Sequence, residues 1–232
     1  MVLLHGMFGR PADWAVVGRE LRSEWRVITP HLPVFDFPHG RCGLQNLCDD
    51  LERRLDQEGI EGVVLAGNSL GGHVAVLTAA RLPGRVEALV LTGSSGLHER
   101  GFERGVPRRP DRAWLRQKVE EVFYDPVHVT EELLDAVSET IGDTKTLINV
   151  VRLARAVKRS DLRNVLPRIH CPVTLIWGED DQITPPAVAH EFARHLPGAD
   201  LHFIKRCGHT PPMERPSEFY RIFRASLERL IA

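Results

Sequence analysis

The stretch from Val63 to His73 constrains this chain more than any other, because it joins an apolar run, a serine framed by glycines and the start of a helix. Its centre, Gly67-Asn68-Ser69-Leu70-Gly71, fits the pattern G-x-S-x-G. In that pattern the serine occupies a strained turn between a strand and a helix, and the glycines leave room where a Cβ would collide. The pattern therefore indicates that the Ser69 hydroxyl is presented above a sheet as a nucleophile.

The flanking residues decide whether this serine is a nucleophile or part of an ordinary tight turn. Val63 to Ala66 is a short apolar run, as expected for a strand buried on both faces. His73 to Arg81 then predicts a helix, which ends at Leu82-Pro83-Gly84. The strand, turn and helix that the pattern requires are thus all present, and the N–H groups after Ser69 are expected at a helix N-terminus, where they can donate to an anion.

Length and charge exclude several classes of protein. The 232 residues (26.1 kDa) suffice for one α/β core with a modest insertion. Lys and Arg number 30 against 31 Asp and Glu, so no global field attracts nucleic acid or an anionic membrane. The run from Arg100 to Arg116 is rich in arginine but lacks the ladder of interleaved aromatic residues that would favour nucleic-acid binding. We therefore predict that this run forms a solvated surface. We therefore expect a small-molecule substrate and no nucleic-acid or membrane partner, while the oligomeric state stays open.

The cysteines and histidines give no sign of a disulfide framework or a metal site. The four cysteines show neither C-x-x-C nor zinc spacing, and the N-terminus lacks a basic and then apolar signal segment. His190-Glu191-x-x-x-His195 is one residue longer than H-E-x-x-H, so its histidines would not share a helical face. We expect a reduced, cytoplasmic and soluble protein with no metal and no cofactor.

Strands and helices are predicted to alternate along most of the chain, which favours a mostly parallel, doubly wound α/β sheet. The six predicted strands are Met1–Gly6, Trp25–Thr29, Val63–Ala66, Val86–Thr92, Pro172–Gly178 and Leu201–Lys205. The alternation breaks between Gly101 and Pro167, where the pattern predicts helices alone. We therefore predict a core formed by residues 1–96 and 168–232 and an inserted helical cap, or lid, formed by residues 97–167.

Four loops at predicted strand ends carry residues that suit nucleophilic catalysis. They are His5–Gly9, the Ser69 turn, Gly178–Pro185 and Cys207–Pro212. A serine hydroxyl needs an imidazole to take its proton, and the imidazole needs a carboxylate to fix its tautomer.

Ser69, Asp181 and His209 could fill these three roles, with Glu179 or Asp180 as alternatives to Asp181. The oxyanion would need backbone donors, for which Leu70 and Met7 are the candidates. Phe8 is the alternative to Met7.

The chain resembles the α/β-hydrolase fold superfamily, in the branch with a small helical cap. The residues that carry this resemblance are His5-Gly6, Gly67 to Gly72, Trp177 to Pro185, and Gly208-His209 with Glu214-Arg215-Pro216. The family's G-x-x-D-x-I-x-P pattern places the catalytic acid at Asp181. One departure is that the family usually has a β-meander before the His-Gly strand, on which this chain begins. Either the sheet is short or the natural start lies upstream.

The resemblance implies a serine hydrolase that forms an acyl-enzyme, and we expect a carboxylesterase acting on a small ester or related acyl substrate. Asn68 before the serine resembles the C–C bond hydrolases of the meta-cleavage type, which cut a vinylogous diketone. That branch commonly carries tryptophan after its catalytic histidine, whereas Thr210 follows His209 here. A small-ligand receptor is the third hypothesis. The residues predicted to contact substrate are Phe8, Asn68, Phe102 and Trp114.

Overall fold

A single five-stranded sheet, with all neighbouring strands parallel and in the order β1-β2-β3-β4-β5, forms the centre of the molecule. The computed structural model describes residues 1–34, 37, 43–98 and 111–231. Phe102 lies outside these residues. The strands are β1 (Val2–Leu4), β2 (Val63–Asn68), β3 (Val86–Thr92), β4 (Val173–Gly178) and β5 (Asp200–Ile204).

The predicted strand Trp25–Thr29 is wrong, because the structure reduces it to one parallel bridge between Ile28 and Val2. Two hydrogen bonds support the bridge, from Leu3 N to Ile28 O (2.9 Å) and from Ile28 N to Met1 O (3.0 Å). Strand β1 is only three residues long, which limits the pairing that its outer edge can offer. From β1 the chain runs to the outer edge of the sheet, where Ile28 lies beside Val2, and then returns to the other side of β1 to form β2. The order of the strands thus reverses between β1 and β2. In open α/β sheets, ligands bind at such a point, beyond the carboxyl ends of the strands.

Helices cover both faces of the sheet. The helices are α1 (Ala15–Leu21), α2 (Leu44–Gln57), α3 (Leu70–Arg81), α4 (Arg112–Glu120), α5 (Glu131–Gly142), α6 (Thr144–Arg159), α7 (Pro186–His195), α8 (Pro211–Glu214) and α9 (Pro216–Ile231). Alternate strand residues point to opposite faces. One face packs on α2, α3 and α7, and the other packs on α1 and α9. Among the helices of the described residues, none is long and apolar enough to cross a membrane.

Three of the helices, α4 to α6, lie between β3 and β4, and the described residues of that stretch include no strand. Helices α4 and α5 share a small apolar cluster of their own, which includes Leu115 and Leu134. Helix α6 contributes Leu153 and Val157 to the main core instead. The segment is therefore packed against the sheet domain at one end and has its own core at the other.

Candidate active site

Ser69 occupies a strained turn between β2 and α3. Its backbone angles, φ 54° and ψ −117°, lie in a region that residues other than glycine rarely adopt and that costs roughly 1–3 kcal/mol. Three backbone hydrogen bonds hold this conformation. Ser69 N donates to Thr92 O (3.0 Å), and Ser69 O accepts from His73 N (3.1 Å) and Ser95 N (3.2 Å). The ends of two neighbouring strands thus fix the serine at the carboxyl edge of the sheet.

The first turn of α3 touches the end of β1, and only a glycine allows this approach. A Cβ at Gly71 would lie 2.3 Å from Leu4 O and 2.7 Å from His5 O, both of which are backbone atoms. This contact also brings the loop after β1 close to the serine. A Cβ placed at Gly6 in that loop would lie 3.4 Å from Ser69 Cβ.

Gly71→Ala is therefore expected to lower the free energy of unfolding by about 3 kcal/mol, because backbone rather than a flexible side chain must move. Urea denaturation of the variant measures this loss. Gly142→Ala is the matched control, since nothing lies within 4 Å of a Cβ placed at Gly142. Equal stability of both variants would show that β1 and α3 do not pack as described.

His209 and Asp181 form a buried hydrogen-bonded pair. His209 Nδ1 lies 2.8 Å from Asp181 Oδ2. The other carboxylate oxygen, Oδ1, accepts from Ile183 N (2.8 Å) and Thr184 N (2.9 Å). These bonds orient the carboxylate toward the imidazole. Asp181 is the acid that contacts His209, whereas Glu179 and Asp180 are exposed.

Thr184 also bonds to this pair, although no sequence pattern assigned it a role. Its Oγ1 donates to Asp181 Oδ2 (2.8 Å) and lies 3.3 Å from His209 Nδ1. Its carbonyl accepts from Trp177 Nε1 (2.7 Å). The threonine three residues after the acid was the available signal, because Asp side chains commonly accept bonds from residues two and three positions further on.

Asn68 connects the serine to the histidine loop. Its Nδ2 donates to Thr92 O (3.1 Å) and to His209 O (2.9 Å). Both amide hydrogens of Asn68 are thus used within the protein, and its contact with substrate stays a prediction. The hydrogen bonds between described residues do not include one from Ser69 Oγ to His209. Contacts of this kind often tighten only when substrate binds.

Two backbone donors beside Ser69 make no hydrogen bond within the described part of the chain. Among the described residues, neither Met7 N–H nor Leu70 N–H donates to a protein acceptor. Leu70 is the first residue of α3, so its N–H lies at the positive end of the helix dipole. Met7 follows Gly6, which lies against Ser69. An anion bound at this corner could accept from both donors.

Burial favours the neutral forms of two histidines and one cysteine near the site. His73 is fully buried between Ser95 Oγ (3.2 Å) and Ser160 Oγ (3.0 Å), and burial lowers its pKa to about 3. Burial likewise lowers the pKa of His5 to about 4. Burial, together with the charge of Glu214, raises the pKa of the Cys207 thiol. Cys207 is therefore no rival to Ser69 as a nucleophile.

Two further residues predicted to contact substrate are half-buried. Phe8 follows Met7 in the loop after β1, and Trp114 packs against the apolar cluster of α4 and α5. Their contact with substrate stays a prediction. Among the residues that the structure describes, no group of three or more His, Cys, Asp or Glu side chains could hold a metal ion.

Comparison with known proteins identifies the family of the chain. The model of the alpha/beta hydrolase family matches residues 1–222. The chain belongs to the alpha/beta hydrolase family. A relative from Burkholderia vietnamiensis, named 2-hydroxy-6-oxononadienedioate/2-hydroxy-6-oxononatrienedioate hydrolase, is 31% identical and aligns over 99% of this chain and 87% of its own.

Two solved structures resemble this alpha/beta hydrolase. An alpha/beta hydrolase enzyme from the metagenome of sediments of the Mar Chica lagoon, Morocco, is 32% identical with a TM-score of 0.80, over 98% of this chain and 90% of its own. A thermophilic esterase from Thermogutta terrifontis is 25% identical with a TM-score of 0.77, over 99% of this chain and 89% of its own.

Proposed function

We propose that this alpha/beta hydrolase cleaves a small carbonyl compound with Ser69 as the nucleophile, His209 as the base and Asp181 as the orienting carboxylate. The observation that carries the proposal is the buried Asp181–His209 pair at the sheet edge where Ser69 occupies its strained turn. An imidazole fixed by a carboxylate at Nδ1 keeps Nε2 available to accept a proton.

The reaction then proceeds through an acyl-enzyme. Ser69 Oγ attacks the substrate carbonyl while its proton passes to His209 Nε2, and Asp181 stabilises the imidazolium. The oxyanion accepts from Met7 N–H and Leu70 N–H, two donors that no described residue occupies. The histidine returns the proton to the leaving fragment. Water, deprotonated by the same histidine, hydrolyses the acyl-enzyme and restores the Ser69 hydroxyl.

For the substrate we propose a 2-hydroxy-6-oxo-dienoate cleaved at a C–C bond, the type in the name of the 31% identical relative. The C2 enol of such a compound becomes a ketone when its proton moves from the C2 oxygen to C5, which leaves a C3=C4 double bond. The electron pair of the breaking C5–C6 bond can then delocalise onto the C2 oxygen. The C6 carbonyl carbon stays on Ser69 as the acyl group, and the C1–C5 fragment leaves after protonation. The described helical residues 111–167 would cover this substrate as a cap, since Val122 O accepts from His209 N (2.8 Å).

Ester hydrolysis is the second candidate. It is favoured by the Thr210-Pro211 sequence after His209, where the C–C hydrolases commonly carry tryptophan. The 25% identical esterase with a TM-score of 0.77 also supports it. The same nucleophile, base and oxyanion donors serve both reactions, so only the leaving group distinguishes them.

A comparison of two substrate series tests the proposal. We expect a 2-hydroxy-6-oxo-dienoate to lose its dienol absorbance with a higher kcat/KM than any member of a chain-length series of p-nitrophenyl esters. A clear preference for the esters would replace C–C cleavage with the second candidate. If neither series is hydrolysed and the dienoate only binds, the fold serves as a receptor and the proposed function is wrong.

A further inference from the structure

Glu214 is a buried carboxylate, 4% exposed, that bridges two separate segments of backbone. Its Oε1 accepts from Gly208 N (2.9 Å), and its Oε2 accepts from Tyr124 N (2.7 Å). Gly208 precedes His209, whereas Tyr124 lies just beyond α4 in the helical segment. Hydrogen bonds to a charged acceptor are stronger than neutral ones, so this carboxylate ties the two segments firmly.

The same two segments also contact each other directly. His209 N donates to Val122 O (2.8 Å). A Cβ at Gly208 would lie 2.7 Å from Val122 O and 2.8 Å from Tyr124 N, so the backbones are in contact at this point. The backbone N–H groups of Gly208 and His209 are therefore both committed, one to Glu214 and one to the segment that Glu214 also holds. The position of the His209 backbone depends on these two bonds.

The position of the His209 backbone in turn sets what its side chain can reach. The imidazole is fixed at one end by Asp181, and Asn68 Nδ2 holds the His209 carbonyl (2.9 Å). Glu214 supplies the constraint on the N-terminal side of the residue. A shift of about 1 Å in a catalytic group can lower the rate roughly a hundredfold.

We propose that Glu214 is a positioning residue, which sets the reach of His209 toward Ser69 by clamping Gly208 to Tyr124. The inference rests on the proposed function, because it assigns Glu214 an effect on the step in which His209 takes the Ser69 proton. It predicts that loss of the clamp slows that step and leaves substrate binding largely intact.

Glu214→Gln is the informative variant. The glutamine side chain has nearly the same shape as glutamate but only one oxygen that can accept a hydrogen bond. One of the two N–H groups would then face an NH₂ group, and one bond of the clamp is lost. We expect kcat to fall roughly tenfold to a hundredfold, with little change in KM. This range corresponds to the usual free energy of one hydrogen bond to a charged group. Glu218→Gln is the matched control, since Glu218 is exposed at the start of α9.

Labelling of Ser69 by a small alkyl fluorophosphonate separates positioning from folding and from substrate binding. The second-order labelling rate needs an activated serine but little of the substrate pocket. Rates are normalised to the folded fraction measured by near-UV circular dichroism. We expect this rate to fall in Glu214→Gln by the same factor as kcat, and to stay unchanged in Glu218→Gln.

The other outcomes overturn the inference or its foundation. A normal labelling rate with a raised KM would mean that Glu214 only holds the helical segment over substrate. Normal kcat and labelling per folded molecule would mean that it only stabilises the fold. Failure of the unmodified protein to label at Ser69, judged against Ser69→Ala, would overturn the proposed function itself.

Discussion

Ser69→Ala is expected to abolish turnover of whichever substrate this alpha/beta hydrolase accepts, with kcat falling by about 10⁶-fold or to the detection limit. The reason is that no acyl-enzyme can form without the hydroxyl, while His209 and Asp181 keep their places. Alanine retains the Cβ, so the backbone strain at φ 54° is the same in both proteins. Steady-state kinetics at matched protein concentration measures the loss.

The fold is expected to survive this substitution. The Ser69 hydroxyl takes part in none of the side-chain hydrogen bonds between described residues, so its removal costs no bond there. Urea midpoints of Ser69→Ala and the unmodified protein should agree closely. Ser217→Ala, on the exposed start of α9, controls for loss of a serine elsewhere. Turnover that persists in Ser69→Ala at the normal rate would mean that another group attacks the substrate.

The sequence predicted most of this architecture because its signals were local and strong. Strand β3 has the predicted bounds, Val86–Thr92. The apolar run before Ser69 predicted β2, although the strand continues two residues further, to Asn68. The break in the strand and helix alternation before Pro167 also predicted helices, and α4 to α6 lie in that stretch.

The failed strand and the missed side chains depend on contacts between distant residues. Trp25–Thr29 has strand-forming residues, but the three-residue strand β1 offers little edge to pair with. The bond from Thr184 to Asp181 depends on side-chain direction, which spacing alone does not give. The clamp of Glu214 joins residues 124, 208 and 214, and no local pattern brings residue 124 to the other two.

Asp181→Asn tests the orienting role of the carboxylate without removing its shape. Oδ1 accepts from two backbone N–H groups, at Ile183 and Thr184, so the amide oxygen of asparagine is expected to take this place. The amide NH₂ then faces His209 Nδ1. It can only donate there, which moves the imidazole proton to Nε2, the atom that must accept the proton of Ser69. We expect kcat to fall by about 10⁴-fold from this change of tautomer.

Two measurements distinguish a wrong tautomer from a damaged site. Nitrogen-15 NMR of the histidines should show His209 protonated at Nδ1 in the unmodified protein and at Nε2 in Asp181→Asn. Asp180→Asn is the matched control, because Asp180 is exposed one residue away and its loss should change kcat little. A large loss of kcat in Asp180→Asn with normal turnover in Asp181→Asn would mean that Asp180, and not Asp181, is the orienting acid. If Asp181→Asn is slow but keeps Nδ1 protonated, the carboxylate acts through its charge on the imidazolium and not through the tautomer.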